Sequence, residues 1–469
     1  MIVRFLIALM MATCACSAVP AAGPIKIGSR LEPMVDDYLV DKLTDAALTL
    51  HRPTIREVAI VHDEPWEGNT STYHTVFQDG ELYRMYYRGS HPDKTHGKVP
   101  HQVTCYAESK DGIHWTKPEL GLVEYNGSKK NNILSATVGI HNFAPFKDAN
   151  PDCKSDEQYK ALASGKGGLL AFKSADALRW SLIRPEPVIT KGAFDSQNLA
   201  FWDTVRGRYV DFHRGFRDGV RDIMTATSPD FRQWTDPVWL AYPGSPKEHL
   251  YTNQIAPYYR APHIFIGFPK RFVPSRRMVD TRGGGVSDGL LMTSRDGRTF
   301  HRWGEAIIRP GLRKDCWVCR NNLTAWGILV TDSQIPGHPD ELSIYSTEGY
   351  YTGDSCRLRR FTYRIDGFVS VQAPFAGGEM LTKPLTFEGK ELVINFATSA
   401  VGSIRVEIQD AQGEPIPGFA LADSAEIFGD ELERVVTWKG GSDLSHLAGK
   451  PVRLRFVLKD ADLYSIRFR

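Results

Sequence analysis

The sequence predicts an all-β protein, a five-bladed β-propeller followed by a C-terminal β-sandwich, and three features of the chain predict it. A turn-plus-aromatic motif recurs along most of the chain. Further strand-like stretches separate successive copies of that motif. Beyond about Ala373 the pattern changes to plain alternation of apolar and polar residues.

The motif reads SKDGIHW at residues 109–115, SADALRW at 174–180, SPDFRQW at 228–234 and SRDGRTF at 294–300. A degenerate fifth copy, YRIDGF, occupies 363–368. In each, a polar turn reverses the chain and the aromatic after it packs back on the neighbouring strand. A short strand leads into each of the first four turns: VTCYAE, GLLAFK, DIMTAT and GLLMT. Two more strand-like stretches precede every copy. In the first unit YHTVFQ and LYRMYYRG flank Asp79-Gly80, a strong hairpin signal. The second unit has HNFAPFKD and YKALAS, the third SQNLAFWD and RYVDFHRG, the fourth YTNQIAPYY and HIFIGFPKRF, and the fifth NLTAWGILV and ELSIYSTEG. Four strands per unit, repeated five times around an axis, make a propeller whose sheet edges are protected by radial packing. No stretch in this region keeps apolar residues at helical spacing for three turns.

Residues 35–50, VDDYLVDKLTDAALTL, precede the first unit and are expected to supply an outer strand or an approach loop. From residue 378 onward LVINFAT, IRVEIQD, RVVTWKG, VRLRFVL and LYSIRFR alternate apolar and polar residues between turns, the pattern of a compact antiparallel sandwich. Residues 1–22 carry Arg4, an apolar run over 5–12 and a tail of small residues, which is the layout of a secretory signal. The run is too short to span a membrane. The expected organisation is therefore a signal peptide over 1–22, the propeller with its N-terminal segment over 23–375, and the sandwich over 376–469. Cleavage after Ala18 or Ala22 would give a secreted or periplasmic protein.

At 469 residues the chain has the length for two cores. Its 57 lysines and arginines against 55 aspartates and glutamates leave no net field that would favour nucleic acid as a partner. Five of its 7 cysteines lie past the signal: Cys105, Cys153, Cys316, Cys319 and Cys356. Cys316 and Cys319 have zinc-like spacing, but no second such pair completes four ligands, so they read as a loop disulfide or two buried thiols. His62, His74, His141 and His249 lack HxH or HxxxH spacing. No metal or cofactor is expected.

The segments leading into the innermost strands carry the candidate chemistry. They read Trp66-Glu67-Gly68-Asn69, Ile140-His141-Asn142, Phe194-Asp195-Ser196-Gln197-Asn198 and Lys247-Glu248-His249-Leu250-Tyr251. Strands of a propeller converge at one mouth, so side chains distant in sequence meet within a sugar's width. Glycoside cleavage generally needs two carboxyl groups, one as acid and one as nucleophile or base. Asp195, Glu248 and Glu67 are the candidates. Each also has a structural reading, as a turn aspartate bonded to the backbone of Gln197, as a glutamate paired with Lys247 or Arg260, and as one member of an acidic loop. Asn69, His74, His141, Asn142, Gln197, Asn198, His249, Asn253 and Asn321 suit sugar hydroxyls, or equally backbone groups between blades. Trp66 and Tyr251 suit stacking on a sugar face, and Arg320 suits an anionic sugar.

With this architecture the chain resembles the glycoside hydrolases of families 32 and 43 and their relatives. The segments VDDYLVD, HRP, EPWEGNTSTYHTVF and FDSQN look like those of poorly characterised exported proteins loosely grouped with family 32. The resemblance implies a nucleophilic aspartate on the first blade, an orienting aspartate on the second and an acid–base glutamate on the third. Here the first blade lacks the Asn-Asp-Pro-Asn signature and offers only Glu67, and the second offers no carboxylate. If the carboxylates have moved one blade round, Asp195 and Glu248 form the catalytic pair. The expected function is an exported glycosidase acting on a poly- or oligosaccharide. The alternatives are a non-catalytic carbohydrate-binding propeller and a lyase or phosphorylase on the same scaffold, the last requiring a basic phosphate pocket.

Overall fold

The computed structural model of the protein describes residues 23–92, 102–281 and 283–469. The expected signal peptide over 1–22 lies outside the described residues. Within them the chain is all-β, its helical turns being the three-residue segments Ser155–Glu157, Lys314–Cys316 and Ser445–Leu447.

Five four-stranded antiparallel sheets follow one another along the chain. The first holds Thr72–Asp79, Leu82–Ser90, Gln102–Ser109 and Ile133–Ser135, with Asp79 opposite Leu82 across the Gly80 turn that the sequence marks. The second holds Ala144–Lys147, Tyr159–Gly165, Gly168–Ser174 and Ser181–Leu182. The third holds Leu199–Asp203, Arg208–Arg217, Val220–Ser228 and Val238–Trp239. The fourth holds Ala256–Tyr258, Ala261–Gly267, Met292–Ser294 and His301–Arg302. Beside it His249–Leu250, Lys270–Val273 and Val286–Gly289 form a three-stranded sheet of their own. The fifth is Leu329–Thr331, Glu341–Glu348, Arg357–Arg364 and, from the other end of the chain, Thr54–Val61.

From the second sheet to the fifth, each is tied to the next just ahead of its first strand. The Asn142 amide donates to Phe194 O at 2.6 Å, Ser196 Oγ to Tyr251 O at 2.7 Å, and the Trp326 indole to Ile255 O at 2.9 Å. The first and fifth sheets meet through Val76 N to Trp326 O and Trp326 N to His74 O, both 2.8 Å. Gly327 is required at this seam: a Cβ there would lie 2.0 Å from Val76 O. Across the centre, Gln197 donates to His74 O at 3.0 Å and accepts from Gln254 at 2.7 Å. A cavity of about 300 Å³ opens between Thr75, Pro145, Pro257 and Trp326.

The remaining strands form one ten-stranded sheet over a single apolar core that includes Ile27, Met34, Ile394, Val406, Phe456 and Phe468. Two long bulged strands, Leu392–Asp410 and Val452–Phe468, run through it. Two expectations are corrected here. The sheet is not built from residues 376–469 alone, because Ile25–Gly28, Glu32–Pro33, Val40–Thr44, Ala47–Leu50 and Val369–Ala373 all pair into it. Residues 35–50 thus give strands to this sheet, and the outer strand of the fifth small sheet comes from Thr54–Val61. The physical reason is edge protection: each open edge is covered by whichever chain end reaches it.

Candidate active site

The segments leading into the first strands of the small sheets gather on one side of the amide pair. Tyr73 shows the demand this makes on the backbone. It is buried, its φ is +59°, and its hydroxyl lies 3.1 Å from that of Tyr251. A bulky residue in the left-handed region costs about 1–3 kcal/mol and persists only where its surroundings hold it. Here Arg88 lies 4.9 Å over its ring.

Asp195 is the carboxylate of this cluster that meets solvent, with its side chain 57% exposed. His141 Nε2 lies 2.9 Å from its Oδ1. That hydrogen bond, with Arg320 and Arg214 nearby, holds the Asp195 carboxyl well below its ordinary range. Burial, aided by Arg88, pushes the His141 imidazole down against the pull of Asp195. The other ring nitrogen, Nδ1, lies 3.3 Å from an Arg88 guanidinium nitrogen and 2.9 Å from Gln102 Oε1, so the imidazole is held at both ends. Asp195 is therefore an ionised, solvent-facing carboxylate beside an oriented histidine.

Around Tyr251 the wall is cationic. Lys270 Nζ lies 4.1 Å from the ring centre, and the guanidiniums of Arg214, Arg221 and Arg320 lie at 4.8, 5.9 and 5.9 Å. Arg320 also donates to the Tyr350 hydroxyl at 3.1 Å, and Arg88 to the same oxygen at 3.0 Å. Burial pushes the Lys270 ammonium well below its ordinary pKa, and Arg320 adds to that.

The other two carboxylate candidates are engaged elsewhere. Glu248 faces Arg302 at 2.5 Å and Arg271 at 3.2 Å. It sits one residue before His249, and side chains alternate along a strand. His249 takes Arg221 N on Nδ1 at 3.2 Å and so faces the cationic wall, while Glu248 faces the other way. Glu67 is fully buried, receiving the Tyr87 hydroxyl at 2.5 Å and Lys117 Nζ at 2.6 Å. Neither is placed beside Asp195.

Most residues expected to bind sugar hydroxyls are taken up by the frame. Asn142 and Asn198 donate to Phe194 O and Ser196 O, and Asn253 donates to Phe212 O at 3.3 Å. Asn321 bonds both the carbonyl and the N–H of Tyr350, Asn69 donates to Gly353 O at 2.6 Å, and Gln197 plugs the centre. His74 is buried against His62, with Nε2 to Nε2 at 2.9 Å. Trp66 is buried and donates to Asn132 Oδ1 at 2.8 Å, which corrects its expected role as a sugar platform. Buried amides satisfy the backbone carbonyls that the loops leave unpaired, a demand the linear sequence does not display. The described cysteines, Cys105, Cys153, Cys316, Cys319 and Cys356, are free thiols, with Cys316 and Cys319 both buried.

Sequence reasoning brings Asp195, His141, Tyr251, His249 and Arg320 to this mouth but misses Tyr73, Arg88, Arg214, Arg221 and Lys270. A signal for two of them exists. Arg88-Gly89 and Arg214-Gly215 end the second strands of the first and third sheets in the same way. A Cβ on Gly89 would lie 2.7 Å from Cys105 Sγ, and one on Gly215 2.6 Å from the Trp239 ring. The recurring glycine lets the strand close against its sheet while the arginine before it turns to the mouth.

No protein-family model matches the chain. Over 77 residues it is 38% identical to an uncharacterized protein of Mycobacterium tuberculosis, a stretch covering 16% of this chain and 24% of that protein. The chain thus spans about a quarter of the length of the curated relatives it matches. Among solved structures it is similar to an N-acetylgalactosamine deacetylase from F. plautii, at 14% identity and a TM-score of 0.44 over 70% of this chain and 96% of that one. A fructofuranosidase from Schwanniomyces occidentalis matches at 11% identity and 0.39, over 95% and 99%. An α-L-arabinofuranosidase from Coprinopsis cinerea matches at 10% identity and 0.44, over 67% and 97%. Glycoside hydrolases and related carbohydrate-acting enzymes are therefore among the structural neighbours of this chain.

Proposed function

We propose that the five four-stranded sheets are the blades of a β-propeller carrying a β-sandwich, and that the chain is an exported glycoside hydrolase acting on a poly- or oligosaccharide at the mouth where Asp195 lies. The observation that carries this reading is an ionised, solvent-facing carboxylate held by a histidine amid tyrosines and cations. Such a group suits attack on an anomeric carbon or activation of a water. Glu248 and Glu67 leave the proposed catalytic machinery because ion pairs hold them. That engagement also supports a second reading, a non-catalytic carbohydrate-binding propeller, since among the described residues Glu248 and Glu67 are tied up in ion pairs away from Asp195.

Turnover across a panel of plant, algal and microbial glycans separates these readings. Asp195→Asn removes charge without volume and is expected to lower turnover by about a hundredfold or more, with a thermal midpoint near wild type. Glu248→Gln is expected to keep turnover near wild type. The reverse pattern would return catalysis to Glu248. A wild type that binds one glycan and cleaves none would establish the binder.

A further inference from the structure

Arg88, Arg214, Arg221, Lys270 and Arg320 come to one mouth from four of the small-sheet units, and among the described residues none of them forms an ion pair with a carboxylate. Asp195, on the rim, is the carboxylate whose field they share. Like charges gathered this way repel one another, and a fold keeps them only when something offsets the cost. Lys270 makes the point sharply. Its side chain is about 1% exposed, and its ammonium has no hydrogen-bond partner among the described residues, although a buried polar group is normally satisfied. Nε of Arg88 and Nε of Arg221 are buried and unpartnered as well.

We infer that this wall receives an oxyanion carried by the sugar, a carboxylate or sulfate seated at Tyr251 among Arg320, Arg214 and Arg221 with Lys270 behind the ring. The planar guanidinium fork matches either group with two parallel hydrogen bonds. The buried ring of Tyr251 holds two of the guanidiniums in place, each 5.9 Å from its centre. The inference names the substrate class of the proposed glycosidase and rests on that reading for its setting, but its test does not depend on turnover.

Calorimetry at low ionic strength, with glucuronate, a sulfated glucose, methyl glucoside and inorganic phosphate as probes, reads the site directly. The wild type is expected to bind a charged sugar and not methyl glucoside, and to bind more weakly as salt rises. Arg320→Gln and Arg221→Gln are each expected to weaken that binding by about ten- to a hundredfold. Thermal midpoints near wild type will show that both variants fold. Methyl glucoside bound as tightly as the charged sugars, no binding of any charged sugar, or charged-sugar binding untouched by both substitutions would each overturn the inference. Phosphate bound in their place, with cleavage that requires it, would put the oxyanion in solution and overturn it too. Binding of charged sugars with no cleavage of any glycan keeps the inference and sinks the glycosidase reading. Cleavage confined to neutral glycans does the opposite.

Discussion

Glu67 shows how a residue with the chemistry of a catalyst can serve the fold instead. Burial by itself raises its pKa, but His62 and Lys117 more than reverse this and bring it from 4.5 to about 2. A carboxyl held down in this way stabilises the fold fully above about 4.5, and that contribution is lost as the pH falls toward 2. The shift corresponds to about 3 kcal/mol. Glu67→Gln leaves the partly buried Lys117 with Asp63, at 3.3 Å, as its remaining charge partner, so stability at neutral pH is expected to fall by about 1–3 kcal/mol. Urea unfolding from pH 7 down to pH 2 checks it: the variant should show a flatter acid limb, and a variant as stable as wild type would remove the pair from the account. The sequence marks Glu67 as a candidate because it stands before an inner strand. It hides the role because Lys117 is 50 residues away. Asp195 was legible for the opposite reason, since its histidine also stands before an inner strand.

At the scale of elements, the aspartate turn is the repeat that made the fold readable. In the second sheet Asp176 Oδ1 accepts Leu178 N at 2.9 Å and Arg179 N at 2.7 Å, and the Trp180 indole closes on Ala177 O at 3.0 Å. Asp111, Asp230 and Asp296 accept the equivalent pairs of backbone N–H groups in the other three copies. Asp176→Ala frees two N–H groups near the surface and is expected to lower stability by about 1–2 kcal/mol while leaving turnover unchanged. Thermal melts and initial rates on the same preparation test both halves, and an unchanged melting point would show the turn to be decorative. The fifth copy reads differently because its chemistry differs. YRIDGF has Arg364 where the others have serine, and Asp366 is fully buried, receiving the Tyr258 hydroxyl at 2.6 Å and Ser465 Oγ at 2.8 Å. The strand after it, Val369–Ala373, leaves the fifth small sheet for the large one. Local pattern predicts a turn well, but it does not name the sheet that a following strand will join.

Across the whole molecule, architecture was legible where units repeat and illegible where the chain ends cross. Alternation from residue 378 onward predicted strands correctly, yet nothing in that stretch announces that five strands from before residue 374 complete its sheet. Processing at the expected signal must respect this crossing. Removal of residues 1–22 spares Ile25–Gly28, which pairs in parallel with Leu385–Phe387. The mature protein is accordingly expected to begin just after Ala18 or Ala22, and an N-terminus at Met1 on Edman sequencing would refute export. The same crossing sets a clock for synthesis. Glu32 lies opposite Ile466 and Pro33 opposite Ser465, so this strand waits through the synthesis of every small sheet before its partner is made. Until Val452–Phe468 is made, Glu32–Pro33 has no strand to pair with. Pairings this distant form slowly. A nascent chain so arranged has every strand of its small sheets before it has the last partners of the ten-stranded one, so the two parts are completed in that order.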